Sequence, residues 1–282
     1  MNKKILFIGC GNMGEPVLKA FLNVGVSPSD IFIKTKTKES SKNLSKKYSV
    51  NVYESKNQNH PKGNPLSRSN RDPYQGDFPS FDVVILAVKP QKIEEVDFSE
   101  ISMSDDVLII SLLAGKEINK LKEITGKNKI VRVMPNLPLI VGKGMTTFFA
   151  EGLSIIEKEF IKSVFSKSGE VIELESEDDM HIATLMAGSM PGIFYYLCSI
   201  LEDITNEYGF TKEQSQQLIK EAFIGSAELL NQSNETFKDL QERVSSKGGI
   251  TETTTNEMEK LGIMKVFKRA IERGVDKSKK GL

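Results

Sequence analysis

The stretch Ile5-Leu6-Phe7-Ile8-Gly9-Cys10-Gly11-Asn12-Met13-Gly14 decides how this chain is read. Its apolar start, Ile5–Ile8, has the unbroken hydrophobicity of a parallel strand buried on both faces. Gly9, Gly11 and Gly14 follow in G-x-G-x-x-G spacing. In that spacing the first glycine permits a tight turn, the second lets backbone approach a pyrophosphate, and the third lets helix pack on strand. The next segment, 15–24, repeats apolar residues at Val17, Leu18, Phe21 and Leu22, a helical period. Such a helix aims its unpaired N–H groups and positive dipole end at phosphate. A dinucleotide site is therefore expected at Gly9, Cys10, Gly11, Asn12, Met13 and Gly14.

Outward from that turn, further apolar strands are expected at 31–33, 50–53, 82–88, 107–113 and Ile130–Met134, with late edge strands at 145–149 and 171–174 flanking a helix over Ile155–Ser166. Buried strands alternating with crossover helices predict an α/β Rossmann fold, a doubly wound and mostly parallel sheet. Ligands in such sheets lie beyond the carboxyl ends of the strands. Ala87-Val88-Lys89-Pro90, Ala114-Gly115 and Pro135-Asn136-Leu137-Pro138 all fall there. Residues 54–80 carry Asn, Gln, Pro, Gly, Ser and charges with little to bury, so a surface loop insertion is expected. From about residue 177 the strand signals stop. Residues 180–208 read as one apolar helix kinked or broken at Pro191. Thr211 with Gln214 makes a capping-box pattern, and short helices are expected over 236–244 and, after a glycine turn at 245–251, over 264–277. The division predicted is 1–176, dinucleotide-binding, and 177–282, all-helical. The wide apolar faces of that second part (Ile193, Phe194, Leu197, Ile200, Leu201) favour packing against another copy of the chain.

Composition narrows the chemistry. Lys plus Arg equals Asp plus Glu at 38 each, with a pI of about 6.8, so no basic surface argues for nucleic acid. No apolar run is read as approaching the ~20 residues of a bilayer span, and no signal-peptide core is read at the start. Two cysteines, Cys10 and Cys198, have no evident disulfide logic, which fits a reducing cytoplasm. The two histidines, His60 and His181, lack ligand spacing, so no metal site is expected. The loop after the second strand sets the ribose preference. It reads Ile33-Lys34-Thr35-Lys36-Thr37-Lys38, with no carboxylate before Glu39. Lys34, Thr35 and Lys36 suit a 2′-phosphate, so NADPH is the expected cofactor, with NADH the alternative.

With these pieces placed, nearly the whole chain resembles pyrroline-5-carboxylate reductase. The resemblance rests on the 7–14 turn, Ala87-Val88-Lys89-Pro90, Arg132-Val133-Met134-Pro135-Asn136-Leu137-Pro138, Gly144-Met145-Thr146 and Ser245–Thr251. It implies an N-terminal Rossmann domain, a helical dimerisation domain, dimers often assembled further into rings, and NAD(P)H-dependent reduction of a cyclic imine to L-proline. It also implies roles. Thr251 would hydrogen-bond the ring nitrogen and relay its proton. Ser246, Lys247, Gly248, Gly249 and Ile250 would hold the substrate carboxylate, and Ser189 would wall the site. Asn136 would orient the nicotinamide, with Lys89 and Pro90 near its ribose. The departures are in the substrate half. Ala187-Gly188-Ser189-Met190-Pro191-Gly192-Ile193 stands where the family has Ser-Gly-Ser-Gly-Pro-Ala-Tyr, and Lys247 and Ile250 alter the second turn. Two alternatives follow: a paralogous reductase of another cyclic imino acid, or a non-catalytic NADP-binding regulatory paralogue of competence type. Thr251 also has a plainer reading, as a helix N-cap.

Overall fold

The computed structural model describes residues 3–53 and 79–281. The loop expected over 54–80 therefore lies outside the described residues except for 79 and 80. By contacts the chain divides into one compact unit of Met1–Ser189 with Lys277–Leu282, and another of Met190–Asp276.

The first unit is built on an eight-stranded sheet: β1 (Ile5–Ile8), β2 (Ile31–Lys34), β3 (Asn51–Val52), β4 (Phe81–Leu86), β5 (Met103–Ser111), β6 (Ile130–Met134), β7 (Gly144–Ala150) and β8 (Gly169–Glu173). Their spatial order is β3-β2-β1-β4-β5-β6-β7-β8. All pairs are parallel except β6 with β7. Strand order reverses between β1 and β4, which makes the turn after β1 the topological switch point. Helices α1 (Gly14–Asn23), α2 (Lys38–Tyr48), α3 (Ile118–Thr125) and α4 (Ile155–Ser166) connect the strands. Both faces of the sheet are covered. One carries Phe7, Phe21, Ile33, Val131, Phe148 and Phe165, the other Leu6, Phe81, Ile109, Ile118 and Leu121.

Three expectations need correction. Of the two late strands only β8 lies at an edge of the sheet; β7 pairs on both sides. The link 135–143 is too short for the crossover that a parallel partner of β6 requires, so β7 returns antiparallel. Residues 180–208 are not one kinked α-helix. They form α5 (Asp179–Ala183), a π-helical turn (Thr184–Ser189) and α6 (Met190–Glu207) without interruption. That continuity makes Asp179–Glu207 a 29-residue helical stretch, long and apolar enough by length and composition to cross a membrane. The long apolar helix expected over 180–208 is present, with a π-turn where a kink or break was expected, while the expectation that no apolar run approaches the length of a bilayer span is overturned.

The second unit adds α7 (Lys212–Gln232), α8 (Phe237–Val244), α9 (Ile250–Lys260) and most of α10 (Ile263–Lys279). Capping boxes at Thr211/Gln214 and Thr236/Asp239 open α7 and α8, each satisfying two orphan N–H groups. Along α6 and one residue past its end, the side chains Tyr196, Ile200, Ile204 and Tyr208, four residues apart, form an exposed stripe.

Candidate active site

Two of the three glycines, Gly9 and Gly14, answer to steric demands within the fold. Gly9 has φ +82°, and a Cβ there would lie 2.6 Å from the Ala87 carbonyl oxygen and 2.8 Å from the Val88 nitrogen. Only glycine serves both requirements. Gly9 N–H donates to the Lys34 carbonyl at 2.8 Å, and Ala87 N–H to that of Ile8 at 2.8 Å, so the ends of β1, β2 and β4 are laced together. A Cβ on Gly11 would meet nothing within 4 Å, which leaves open space where a pyrophosphate needs backbone access. A Cβ on Gly14 would press on that of Ala87 at 3.0 Å. At the N-cap of α1, Met13 contributes no side-chain hydrogen bond, so the first-turn N–H groups receive no side-chain cap. The cradle fits a dinucleotide pyrophosphate.

Cys10 lies in the turn as a buried thiol. Burial, and then the Glu15 carboxylate, push its thiol up to about 12. Glu15 is itself held below the ordinary carboxylate value by hydrogen bonds from Lys47 and Tyr48, each at 2.6 Å. Beside the turn, Asn12, Glu15, Pro16 and Lys19 face Leu137 and Ile140 across a cleft of about 290 Å³. The structure thus brings the turn after β1, the segment after β4 and the segment after β6 to one end of the sheet.

The ribose loop is more divided than its sequence implies. Lys34 ends β2, and its ammonium lies 3.8 Å from a Glu100 carboxylate oxygen and 5.9 Å from the Tyr53 ring centre. Its charge is largely matched locally. Thr35 is held by Ser41, whose hydroxyl accepts from the Thr35 N–H at 3.1 Å and bonds its hydroxyl at 2.8 Å. Lys36 and Lys38 are exposed, beside the Thr37-capped start of α2.

Asn136 is 8% exposed, and its amide bonds inward. Its Oδ1 accepts from the Met145 N–H at 2.8 Å, and its Nδ2 donates to the Ala187 carbonyl at 3.1 Å. That second bond fastens the π-turn, and with it Ser189, to the segment following β6. Sequence reading missed Arg132 and Glu177. Arg132, on β6, is 1% exposed and pairs with Glu177 at 2.9 Å, while Glu177 also accepts the Ile118 N–H at 2.7 Å. A charged residue inside an apolar strand was the available signal. Nearby, His181 bonds the Ser278 hydroxyl at 3.0 Å, tying the last turn of α10 to α5. Burial first, and the Arg132 charge second, hold this imidazole below its ordinary pKa.

The turn 246–251 belongs to the second unit. Gly249 N–H donates to the Ser246 carbonyl at 2.8 Å, and a Cβ at Gly249 would collide with Ser246. Gly249 occupies the N-cap of α9, so Thr251 is not the cap and its hydroxyl is free of that role. Glu252 accepts the Gly248 N–H at 2.6 Å, holding the turn closed on one side.

A glycine turn at the switch point of a doubly wound sheet defines a Rossmann-type dinucleotide-binding protein, and the helical unit narrows the class further. Residues 177–281 match the pyrroline-5-carboxylate reductase dimerisation family, and residues 4–63 match the family of coenzyme F420-dependent NADP oxidoreductases. Among curated proteins, the pyrroline-5-carboxylate reductase of Escherichia coli is 29% identical over 285 residues, covering 99% of this chain and 98% of its own. That of Corynebacterium melassecola is 28% identical over 281 residues, covering 97% of each. Among solved structures, the Coxiella burnetii pyrroline-5-carboxylate reductase superposes with TM-score 0.80 at 26% identity, covering 100% of this chain and 99% of its own. The Plasmodium falciparum pyrroline carboxylate reductase with NADP bound gives 0.78 at 25%, covering 99% and 98%. The chain is thus similar over nearly its whole length to pyrroline-5-carboxylate reductases.

Proposed function

We propose that this chain reduces 1-pyrroline-5-carboxylate to L-proline with NADPH, the last step of proline synthesis. The observation that carries the reading is the glycine cradle at the switch point, in a chain matched over nearly its full length by reductases of this name. When bound, NADPH supplies a hydride for the imine carbon. Gly9–Gly14 and the start of α1 hold its pyrophosphate, with Ala87–Pro90 bordering the turn. Thr35, Lys36 and the α2 N-terminus receive the 2′-phosphate. A protonated iminium is already electrophilic, so the protein needs mainly to position it. The turn 246–251 offers backbone N–H groups at the start of α9 for the substrate carboxylate, together with the Ser246 hydroxyl and the Lys247 charge. The Thr251 hydroxyl hydrogen-bonds the ring nitrogen and relays from solvent the proton that turns the imine into the iminium. Ser189 borders the ring.

The proposed division is a dinucleotide-binding portion over 1–176 and a helical dimerisation and substrate portion over 177–282. The exposed stripe Tyr196, Ile200, Ile204 and Tyr208 supports a homodimer, with rings of dimers as a further assembly. A dimer would also cover the apolar stretch 179–207, and the proposed compartment is the cytoplasm.

The test follows NADPH absorbance with synthetic pyrroline-5-carboxylate, its six-membered homologue and NADH in parallel. The expected result is rapid oxidation with the five-membered imine and a preference for NADPH. Faster turnover of the six-membered ring would move the assignment to that substrate. Thr251→Ala should lower kcat by about a hundredfold with NADPH binding intact; an unchanged kcat removes Thr251 from the chemistry.

A further inference from the structure

The π-turn at Thr184–Ser189 has a local cause and a distant partner. Pro191 has no N–H, so the α-helical bond to the carbonyl four residues back, that of Ala187, cannot form. Ala187 is buried, and a buried carbonyl without a donor is unfavourable. The donor comes from outside the helix: Asn136 Nδ2, at 3.1 Å. The amide orientation is unambiguous, because Oδ1 accepts the Met145 N–H at 2.8 Å and a flip would set oxygen against oxygen. Gly188 admits the contact: a Cβ there would come within 3.3 Å of Met134, at the end of β6.

We infer that Asn136 is a positioning residue that replaces the hydrogen bond Pro191 withholds from Ala187, and so sets where the π-turn carries Ser189. One amide thereby fixes three segments: the link after β6, the start of β7 and the widened helical turn. A shorter or charged side chain at 136 removes the donor that reaches the Ala187 carbonyl from outside the helix and frees the turn to retighten. Widened turns of this kind recur at functional sites because they hold side chains in places a regular helix does not reach. The consequence for catalysis rests on the imine-reductase reading, in which Ser189 borders the substrate. The tie itself does not.

The experiment is a double-mutant cycle of Asn136→Asp and Pro191→Ala on the full chain, with melting temperature, NADPH affinity by fluorescence, and KM and kcat on pyrroline-5-carboxylate. Asn136→Asp keeps the acceptor for Met145 but loses the donor to Ala187. It should lower the melting temperature, and raise the imine KM by about tenfold with NADPH affinity changed less than about twofold. In the Pro191→Ala background the new N–H can serve Ala187, so the same substitution should cost less than half as many degrees. Equal losses in both backgrounds overturn the tie. A fall in NADPH affinity as large as the rise in KM assigns Asn136 to the cofactor and overturns its positioning role. If Asn136→Asp does not accumulate, Asn136→Ser runs the same cycle. A wild-type chain that reduces no imine, yet shows the non-additive melting, sinks the function and leaves the tie standing.

Discussion

The sheet unit and the helical unit bury their apolar residues in opposite ways. In the first, Ile5, Leu6, Phe7, Phe21, Val84, Ile110 and Phe148 are sealed between the sheet and its own helices. Over Met190–Asp276 the only buried side chain is that of Ser215, while Tyr196, Ile200, Ile204 and Tyr208 face outward along α6 and one residue past its end. A sheet crossed by helices on both faces closes its own core. A run of amphipathic helices with wide apolar faces does not, and its stability depends on what covers it. Concentration should therefore govern one unit and leave the other nearly untouched.

The contrast can be broken most directly in the sheet. Phe21→Ala should cost about 3–5 kcal/mol in chemical denaturation, independent of protein concentration. A loss below about 1 kcal/mol would mean that the sheet core is not self-sufficient. On α6, Ile200→Asp should cost about 2 kcal/mol or more, and appear as dissociation in sedimentation rather than as loss of the folded sheet. A dimer undisturbed at micromolar concentration would place the partner surface elsewhere. Gly9→Ala, which puts a Cβ against Ala87 at a positive φ, should cost about 1–3 kcal/mol and abolish NADPH binding while the helical unit still associates. Calorimetric titration and sedimentation separate the two readouts.

A smaller effect sharpens the boundary. His181 and Ser278 join the points where the chain enters and leaves the helical unit. Because the native imidazole lies below its ordinary value of 6.5, the unfolded chain takes up a proton that the native chain refuses. Stability should thus fall as pH drops below about 6.5. His181→Gln should flatten that slope, and a slope unchanged in this variant would assign the pH dependence to other groups. The smallest effect is at Cys10, whose thiol should resist alkylation at pH 8 in the native protein and react once unfolded, as peptide mass spectrometry would read.

Much of the sheet was legible in residues alone. Continuous apolar runs marked β1, β4 and β6, since strands buried on both faces leave no polar alternation. The glycine turn was legible because Gly9 and Gly14 answer to separate steric demands, and the capping boxes because they are local. The roles within the site were less legible. Lys34 reads as phosphate-seeking, and the fold sets Glu100, distant in sequence, 3.8 Å from its ammonium. Asn136 reads as a nicotinamide contact, and the sequence gives no hint that both ends of its amide are bonded to Met145 and Ala187. Pro191 announces a disturbed helix, but whether the helix kinks, breaks or widens depends on a donor supplied from another segment.

What the sequence determined by itself was everything carried by neighbours in the chain: strand, turn and helix at the start, capped helices at the end, and the glycines that no side chain could replace. Only the tertiary structure decided the antiparallel return of β7, the pairing of Arg132 with Glu177, and the π-turn held open by Asn136. Those depend on donors and acceptors brought together across dozens of residues. A buried polar group takes its partner from whatever the fold sets beside it, and the order of residues along the chain does not record that choice.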